Sequence, residues 1–538
     1  MKNNKTLIRL IILFGFLSFG GAEAVAQENY HLDWLVLNDS IKTGSAAFYS
    51  EPKILYDSSS SAVYVFDNIY YVSLHLRCTK YSATGEKLWS VRYNRAFEGD
   101  WFIDAKLDSQ GNVVLMGVSV YFVGDYPFTT VRTTVLMKIA PSGQLIWKIE
   151  NLLDDETLYD TRTLFVDSED NIYTSGWKRQ GTAGAQQTFL NKYTPDGELD
   201  WQKTGFPSGI RFVYEIDGLI GLVGFTSGSE AYFSRKYTKA GGLVTNHYTL
   251  VDVTDSYLGS PGIVSHDGGY IRGSNGYGYE IQKFSHEGQV LWSYLKPIQD
   301  GIPNPWTNNS SIILEDDYGN AYGIGLYVYG EDDTQILITK IDSIGDFSWE
   351  IKVDGEGGGS FSDAAKIVGN YLYVTTLYSN GADSDFGFLI YNLDGELIYK
   401  TGRTQPASVG LEYRLWLNDI AIDENENIFI LGTNDSYPQY DEYTTVLRYQ
   451  KEPTAIIKPE TQSLAFAPNP VHSGFRVVGL SVQRAASLSV YNTMGQLVFY
   501  KTLKDVKQTI DVSALREGIY FVELIQGDKR YVGKMEKI

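Results

Sequence analysis

Cysteine is almost absent: Cys78 is the only one in 538 residues. No intrachain disulfide can staple the fold, and no multi-cysteine metal site can form. Histidine is scarce, and His31, His75, His247, His266, His286 and His472 show no HExxH or other close ligand spacing. There is no GxSxG elbow, and one cysteine without a matched histidine makes no nucleophile. After the first twenty residues no apolar run is long enough to span a bilayer. Cations are in deficit, with 45 Lys and Arg against 65 Asp and Glu and a net charge of −20. That balance argues against nucleic acid and anionic membranes as partners. No cofactor motif is present.

The chain opens with an export signal. Lys2 and Lys5 form a basic end, residues 7–19 an apolar stretch, and Ala24-Val25-Ala26 a small-residue cleavage site. Residues 1–26 read as a signal peptide, with the mature chain starting at Gln27. The competing reading is a membrane anchor, but Arg9, Gly20, Gly21 and Glu23 interrupt the run. No cysteine adjoins the cleavage site, which argues against a lipid anchor.

The body of the chain, residues 27–452, is repetitive. KYSATGEKLW (80–89), KIAPSGQLIW (138–147), KYTPDGELDW (192–201), KFSHEGQVLW (283–292) and KIDSIGDFSW (340–349) are copies of one unit. Weaker copies start at Lys236 and Ile390, where Thr245 and Tyr399 replace the tryptophan, and an eighth begins at Arg448. With 53 Gly and 40 Tyr, the composition suits short strands joined by tight turns. Residues 101–150 read as four strands, 101–107, 113–120, 131–139 and 145–149, divided by turns at 108–112 and 141–143. The first turn returns as DSEDN (167–171), DDYGN (316–320) and DENEN (423–427), each followed by a strand ending near glycine, as at Gly117, Gly176, Gly325 and Gly432.

Four antiparallel strands in about 50 residues resemble a β-propeller blade. The last repeat lacks its fourth strand, and LDWLVL (32–37) supplies one with Trp34 in the repeat position. Pairing it near residues 446–450 would close the ring and remove two sheet edges. The expectation is an all-β, eight-bladed propeller closed by the N-terminal strand, with seven blades as the alternative. The repeated tryptophans read as packing between blades. The turn Asp and Asn residues read as turn chemistry, with calcium as the sharper alternative.

Two enzyme-bearing propeller families invite comparison. Thr84–Trp89 is similar to the tryptophan-docking repeat of quinoprotein dehydrogenases, which add an adjacent cysteine pair that this chain lacks. Outer-membrane assembly propellers share the repeat without a cofactor. Asp196-Gly197 with Trp201 departs by one residue from the Asp box of sialidases.

Beyond residue 452 the pattern changes. Residues 453–463 read as a linker and 464–538 as a small immunoglobulin-like β-sandwich. The second stretch resembles the type A C-terminal sorting domain of the type IX secretion system of Bacteroidetes. The matching residues are Pro468-Asn469-Pro470, the segment around Gly495, and Gly518-Ile519-Tyr520. The resemblance implies passage through the periplasm to the outer cell surface or the medium, with the secretion machinery as partner.

Four tryptophans fall outside the repeat position: Trp101, Trp177, Trp306 and Trp416. They are assigned to the long connections, near Asp100, Asp332, Asp333 and Glu412. Trp101 and Trp416 each stand eleven residues before a turn asparagine, Asn112 and Asn427, and so should be equivalent. They are candidates for glycan stacking or a protein contact, and covering blade edges is the plainer reading. The expected function is a non-catalytic binding or scaffold module. A polysaccharide hydrolase or lyase using loop carboxylates, and a surface-layer spacer without a ligand, are the alternatives.

Overall fold

The computed structural model describes residues 30–37, 41–42, 52–70, 74–94, 99–123, 129–150, 157–180, 185–207, 209–225, 231–250, 262–273, 278–296, 310–330, 333–353, 360–361, 364–379, 384–401, 414–436, 441–452, 461–478, 486–493, 497–503, 508–526 and 529–538. Regular structure among them is entirely β. They form two compact units, divided between Lys451 and Glu452. The expected signal peptide, with Ala24 and Ala26, lies outside the described residues.

Tight turns every ten residues or so leave each repeat one local way to satisfy its backbone, an antiparallel meander. In residues 99–150 the strands are Gly99–Leu107, Val113–Val123, Thr129–Ile139 and Leu145–Glu150, paired in chain order. They outrun the expected strands by one to three residues. Ladder pairing continues past the apolar stretch, as far as Val123 opposite Thr129.

Eight such sheets are present, numbered here as blades 1 to 8: residues 53–93, 99–150, 157–204, 209–250, 262–296, 312–353, 360–400, and 414–451 with Tyr30–Leu37. The first strand of each blade touches the first strand of the next, and blade 8 touches blade 1. The ring is therefore an eight-bladed propeller with first strands innermost. Its closure is the expected one. Tyr30–Leu37 lies antiparallel to Asp441–Lys451, with Leu32 opposite Tyr449 and Leu37 opposite Thr445.

Apolar side chains fill the spaces between blades, as where Val114, Met116 and Leu136 of blade 2 meet Leu164, Ile172 and Tyr193 of blade 3. The outer rim is held by a polar contact. Trp89 Nε1 and Lys80 Nζ of blade 1 both donate to Pro141 O, in the last turn of blade 2, at 2.9 and 3.5 Å. Trp147 and Lys138 do the same to Pro195 O at 3.0 and 3.1 Å. Trp201 and Lys192 converge on Lys239 O at 3.1 and 3.0 Å. Trp349 and Lys340 converge on Leu393 O at 3.3 and 2.8 Å. Each indole also lies on the glycine of the turn it binds. A Cβ on Gly143 would sit 2.8 Å from the Trp89 ring.

Both departures from tryptophan have local causes. Blade 7 precedes blade 8, whose third and fourth strands come from opposite ends of the chain and share no turn. Tyr399 instead donates to Tyr30 O at 3.1 Å, tying the closing strand. At blade 4, Tyr232 covers the receiving Gly288 in place of an indole. His286 of that turn sits 3.2 Å from Thr245 Oγ1 and 3.4 Å from Tyr214 Oη.

The second unit contains a five-stranded sheet, ordered Thr461–Ser463, Lys529–Lys537, Gly518–Gln526, Ala486–Asn492, Leu497–Leu503, and a three-stranded one, Ala465–Ala467, Gly474–Val478, Ile510–Asp511. Phe475, Leu488, Val490, Val522 and Met535 are buried in its core. One expectation needs correction: residues 461–463, assigned to the linker, form a strand, which pairs parallel to its neighbour.

Two measurements probe the rim. Gly143 and Gly218 both have positive φ, +88° and +71°, but a Cβ on Gly218 would meet nothing within 4 Å. Either change to alanine costs about 1–2 kcal/mol of backbone strain. Gly143→Ala must also displace Trp89, adding about 1–3 kcal/mol, so urea midpoints should rank it clearly the less stable. His286 is held down from 6.5 to about 4, first by burial and then by Lys236 and His247, with Glu287 opposing. An unfolded chain takes up this proton near 6.5 and the folded ring refuses it until about 4. Stability is therefore full above that window and is lost as pH falls through it. His286→Gln should flatten the decline in unfolding midpoint between about pH 6.5 and 4.

Candidate functional site

Strand alternation gives the ring two unlike faces. One carries the turns between first and second strands and between third and fourth strands. Its polar groups are largely used in joining blades. Asp170 accepts from Ser109 N at 2.8 Å, Glu215 from Ser168 N at 2.7 Å, and Glu315 from His266 N at 2.8 Å. The turn aspartates are internally engaged. Asp108 accepts from Asn112 N and Nδ2, both at 2.8 Å, and pairs with Lys138 at 2.9 Å. Burial alone would raise this carboxyl, but Lys138 and Asn112 outweigh it and hold the group below the usual range. These oxygens are committed to the turn and the lysine, which supports the turn-chemistry reading of the motif.

The opposite face carries the long connections, most of which lie outside the described residues. Trp306, Asp332 and Glu412 are among those outside. The other three candidate tryptophans are on strands, not in loops as expected, because the ladders run further toward this face than the apolar pattern does. Trp101 is in Gly99–Leu107, Trp177 in Ile172–Gln180 and Trp416 in Arg414–Ile422.

Their registers coincide. In blades 2, 3 and 8 the innermost strand bulges beside the second-strand glycine: Gly117 faces Phe102, Gly176 faces Thr161, and Gly432 faces Leu417. The next rung toward the loops pairs Trp101 with Val118, Asp160 with Trp177, and Trp416 with Thr433. The three tryptophans therefore occupy one rung, two on innermost strands and one on the strand beside it. Trp101 and Trp416 are equivalent, as their spacing implied. Trp177 joins them through the partner strand, which its distance from a turn asparagine could not reveal. Trp416 is 39 % exposed, and Trp101 and Trp177 are half-buried.

Trp101 is positioned by a residue that sequence reasoning missed. Asn68 of blade 1 donates to Asp100 O at 2.6 Å and accepts from Phe102 N at 3.2 Å, bracketing Trp101. Beside it, Arg77 forms a two-pronged pair with Asp67 at 2.7 and 2.5 Å, fully buried. His75, nearby, is lowered first by burial, with Asp100 opposing and Arg92 adding. No sequence motif marks this cluster, because its members come from three strands of two blades.

Two innermost-strand acids near this rung are engaged. Asp104 accepts from Lys53 Nζ at 2.5 Å. Asp419 accepts from Ile54 N at 3.0 Å, and its carboxyl is raised, chiefly by burial. Among the described residues no group of three or more His, Cys, Asp or Glu is placed to hold a metal ion.

In the second unit, Asn469 of the Pro-Asn-Pro segment donates to Lys534 O and accepts from Glu536 N, both at 2.9 Å. Its amide thus extends the ladder of the last strand. Tyr520 is buried and donates to Arg516 O at 2.9 Å, and Gly518 lies opposite Lys537. Gly495 lies outside the described residues.

Residues 465–537 match the secretion system C-terminal sorting domain. The chain is a β-propeller carrying a type IX secretion sorting domain, which implies export to the cell surface or beyond. No curated protein matches the sequence. Among solved structures, the propeller domain of the Trilobed protease from Pyrococcus furiosus aligns at 12 % identity and TM-score 0.35, over 64 % of this chain and 93 % of that one. An ulvan lyase aligns at 10 % and 0.36, over 78 % and 94 %. The NanB sialidase from Streptococcus pneumoniae aligns at 10 % and 0.31, over 77 % and 70 %. At these values none of the three bears on the chemistry of this chain.

Asn469→Ala removes two exposed hydrogen bonds to the backbone of the last strand. It should cost the second unit about 0.5–1.5 kcal/mol, read as earlier unfolding of that unit by hydrogen exchange on the full chain. Unchanged protection of the last strand would refute the staple.

Proposed function

We propose that the protein is an exported, non-catalytic binding module that takes a glycan at the loop-bearing mouth of the ring. The carrying observation is the shared rung of Trp101, Trp177 and Trp416. Large flat side chains on rigid strands offer stacking area at little entropic cost, and a sugar ring presents a complementary apolar face. Placement on strands favours recognition over mere loop filling, since the ladder fixes height and direction.

The test is a glycan array probed with the mature full chain, beside Trp416→Ala and Trp101→Ala. A bound glycan should lose at least about tenfold in affinity in Trp416→Ala, as expected for a central aromatic contact. A folded wild-type chain that binds no glycan would move the reading to a protein partner or a spacer. Release of oligosaccharides by the wild type would instead establish the hydrolase or lyase reading. For export, removing residues 452–538 should leave the ring in the periplasm.

A further inference from the structure

An innermost strand is covered on one edge by its own blade and on both faces by neighbouring blades. An exposed side chain there opens onto the axis of the ring. Five described residues of the innermost strands are exposed: Arg162, Gly209, Arg211, Lys366 and Trp416. Three are cations, one is a tryptophan and none is an acid. In a chain with 65 acids and 45 bases this reverses the overall balance. Four acids of these strands are withdrawn into contacts. Asp104 holds Lys53, Asp419 holds Ile54 N, and Glu215 and Glu315 cap turns.

Arg162 and Arg211 also share a position. Each is the extra residue of an innermost-strand bulge, between Thr161 and Thr163 in blade 3 and between Ile210 and Phe212 in blade 4. The two bulges adjoin, with Thr163 Oγ1 3.4 Å from Arg211 O. Bulges re-aim side chains and recur next to binding sites. Lys366 and Trp416 belong to blades 7 and 8, four blades further round and so across the axis.

We propose that the axis is a binding site for an anionic glycan chain. Arg162 and Arg211 hold a carboxylate or sulfate group on one side. Trp416 stacks on a sugar ring on the other, with Lys366 taking a second acidic group. Guanidinium groups match carboxylate and sulfate oxygens in two-pronged geometry, and a charged cleft between low-dielectric walls concentrates ligands of opposite sign. Because the two halves face each other across the axis, the ligand is an oligomer rather than a single sugar. The proposal rests on the mouth being a glycan site.

The experiment measures binding of the full chain to polygalacturonate, dextran sulfate and neutral dextran at low and high salt. Wild type, Arg211→Gln, Arg162→Gln/Arg211→Gln and Trp416→Ala are compared. Arg211 is exposed, so its single variant guards against loss of the fold in the double one. At least one acidic polymer should bind more tightly than dextran, weaken with salt, and lose about tenfold or more in Arg211→Gln. The two acidic polymers distinguish carboxylate from sulfate recognition. Equal binding of dextran, or acidic binding unchanged in both arginine variants, overturns the proposal. If the arginines are silent but Trp416→Ala abolishes binding, the glycan reading survives without it. If no polymer binds, both fall.

Discussion

At four of the eight blade junctions one shared backbone carbonyl organises the rim of this ring. It belongs to the last turn of a blade and receives an indole N–H and a lysine ammonium from the blade before, as Pro141 O does from Trp89 and Lys80. The lysine also reaches back to the first turn of its own blade, as Lys138 does to Asp108. Two turns of neighbouring blades are thereby tied through one buried cation. The contact explains the spacing of the repeat. Lysine and tryptophan stand opposite each other across a bulged hairpin, Lys138 beside Trp147, so both can point at the same acceptor. The glycine is required by the preceding blade, whose indole would collide with any side chain there.

A rim built this way sets the division of labour between the two faces. Short turns and their acids are consumed in joining blades, so that face has little freedom to change. The other face bears the long connections, which is where propellers can carry recognition. Here the strands themselves reach that face, and in blades 2, 3, 4 and 8 the innermost strand bulges beside a second-strand glycine. Trp101, Trp416, Arg162 and Arg211 all sit at or next to those bulges. The export domain is a separate matter. Of its described motif residues, Asn469 bonds the last strand and Tyr520 bonds the turn before its own strand.

Blade count, strand order and ring closure were legible in the chain, because each rests on local pattern: the period of the repeat, the turn residues, and the unpaired LDWLVL strand. The role of the repeated tryptophan was legible too, and the two substitutions at 245 and 399 were visible as departures. Their reasons were not. Thr245 makes sense only beside Tyr232 and His286, and Tyr399 only beside Tyr30, residues far away in sequence. The candidate site was read in part. Spacing related Trp101 to Trp416, but loop boundaries were set too wide, and Trp177 was placed by a ladder that periodicity does not report.

By itself, then, the sequence determined an exported all-β ring of eight blades with a sorting domain behind it, since turn chemistry and periodic burial are local properties of the chain. Only the tertiary structure decided what faces the axis. That depends on where each innermost strand bulges and which side chains neighbouring blades leave uncovered. Packing around a closed ring sets both, and it brings Arg162 and Arg211 opposite Lys366 and Trp416 although no segment of the sequence contains them together.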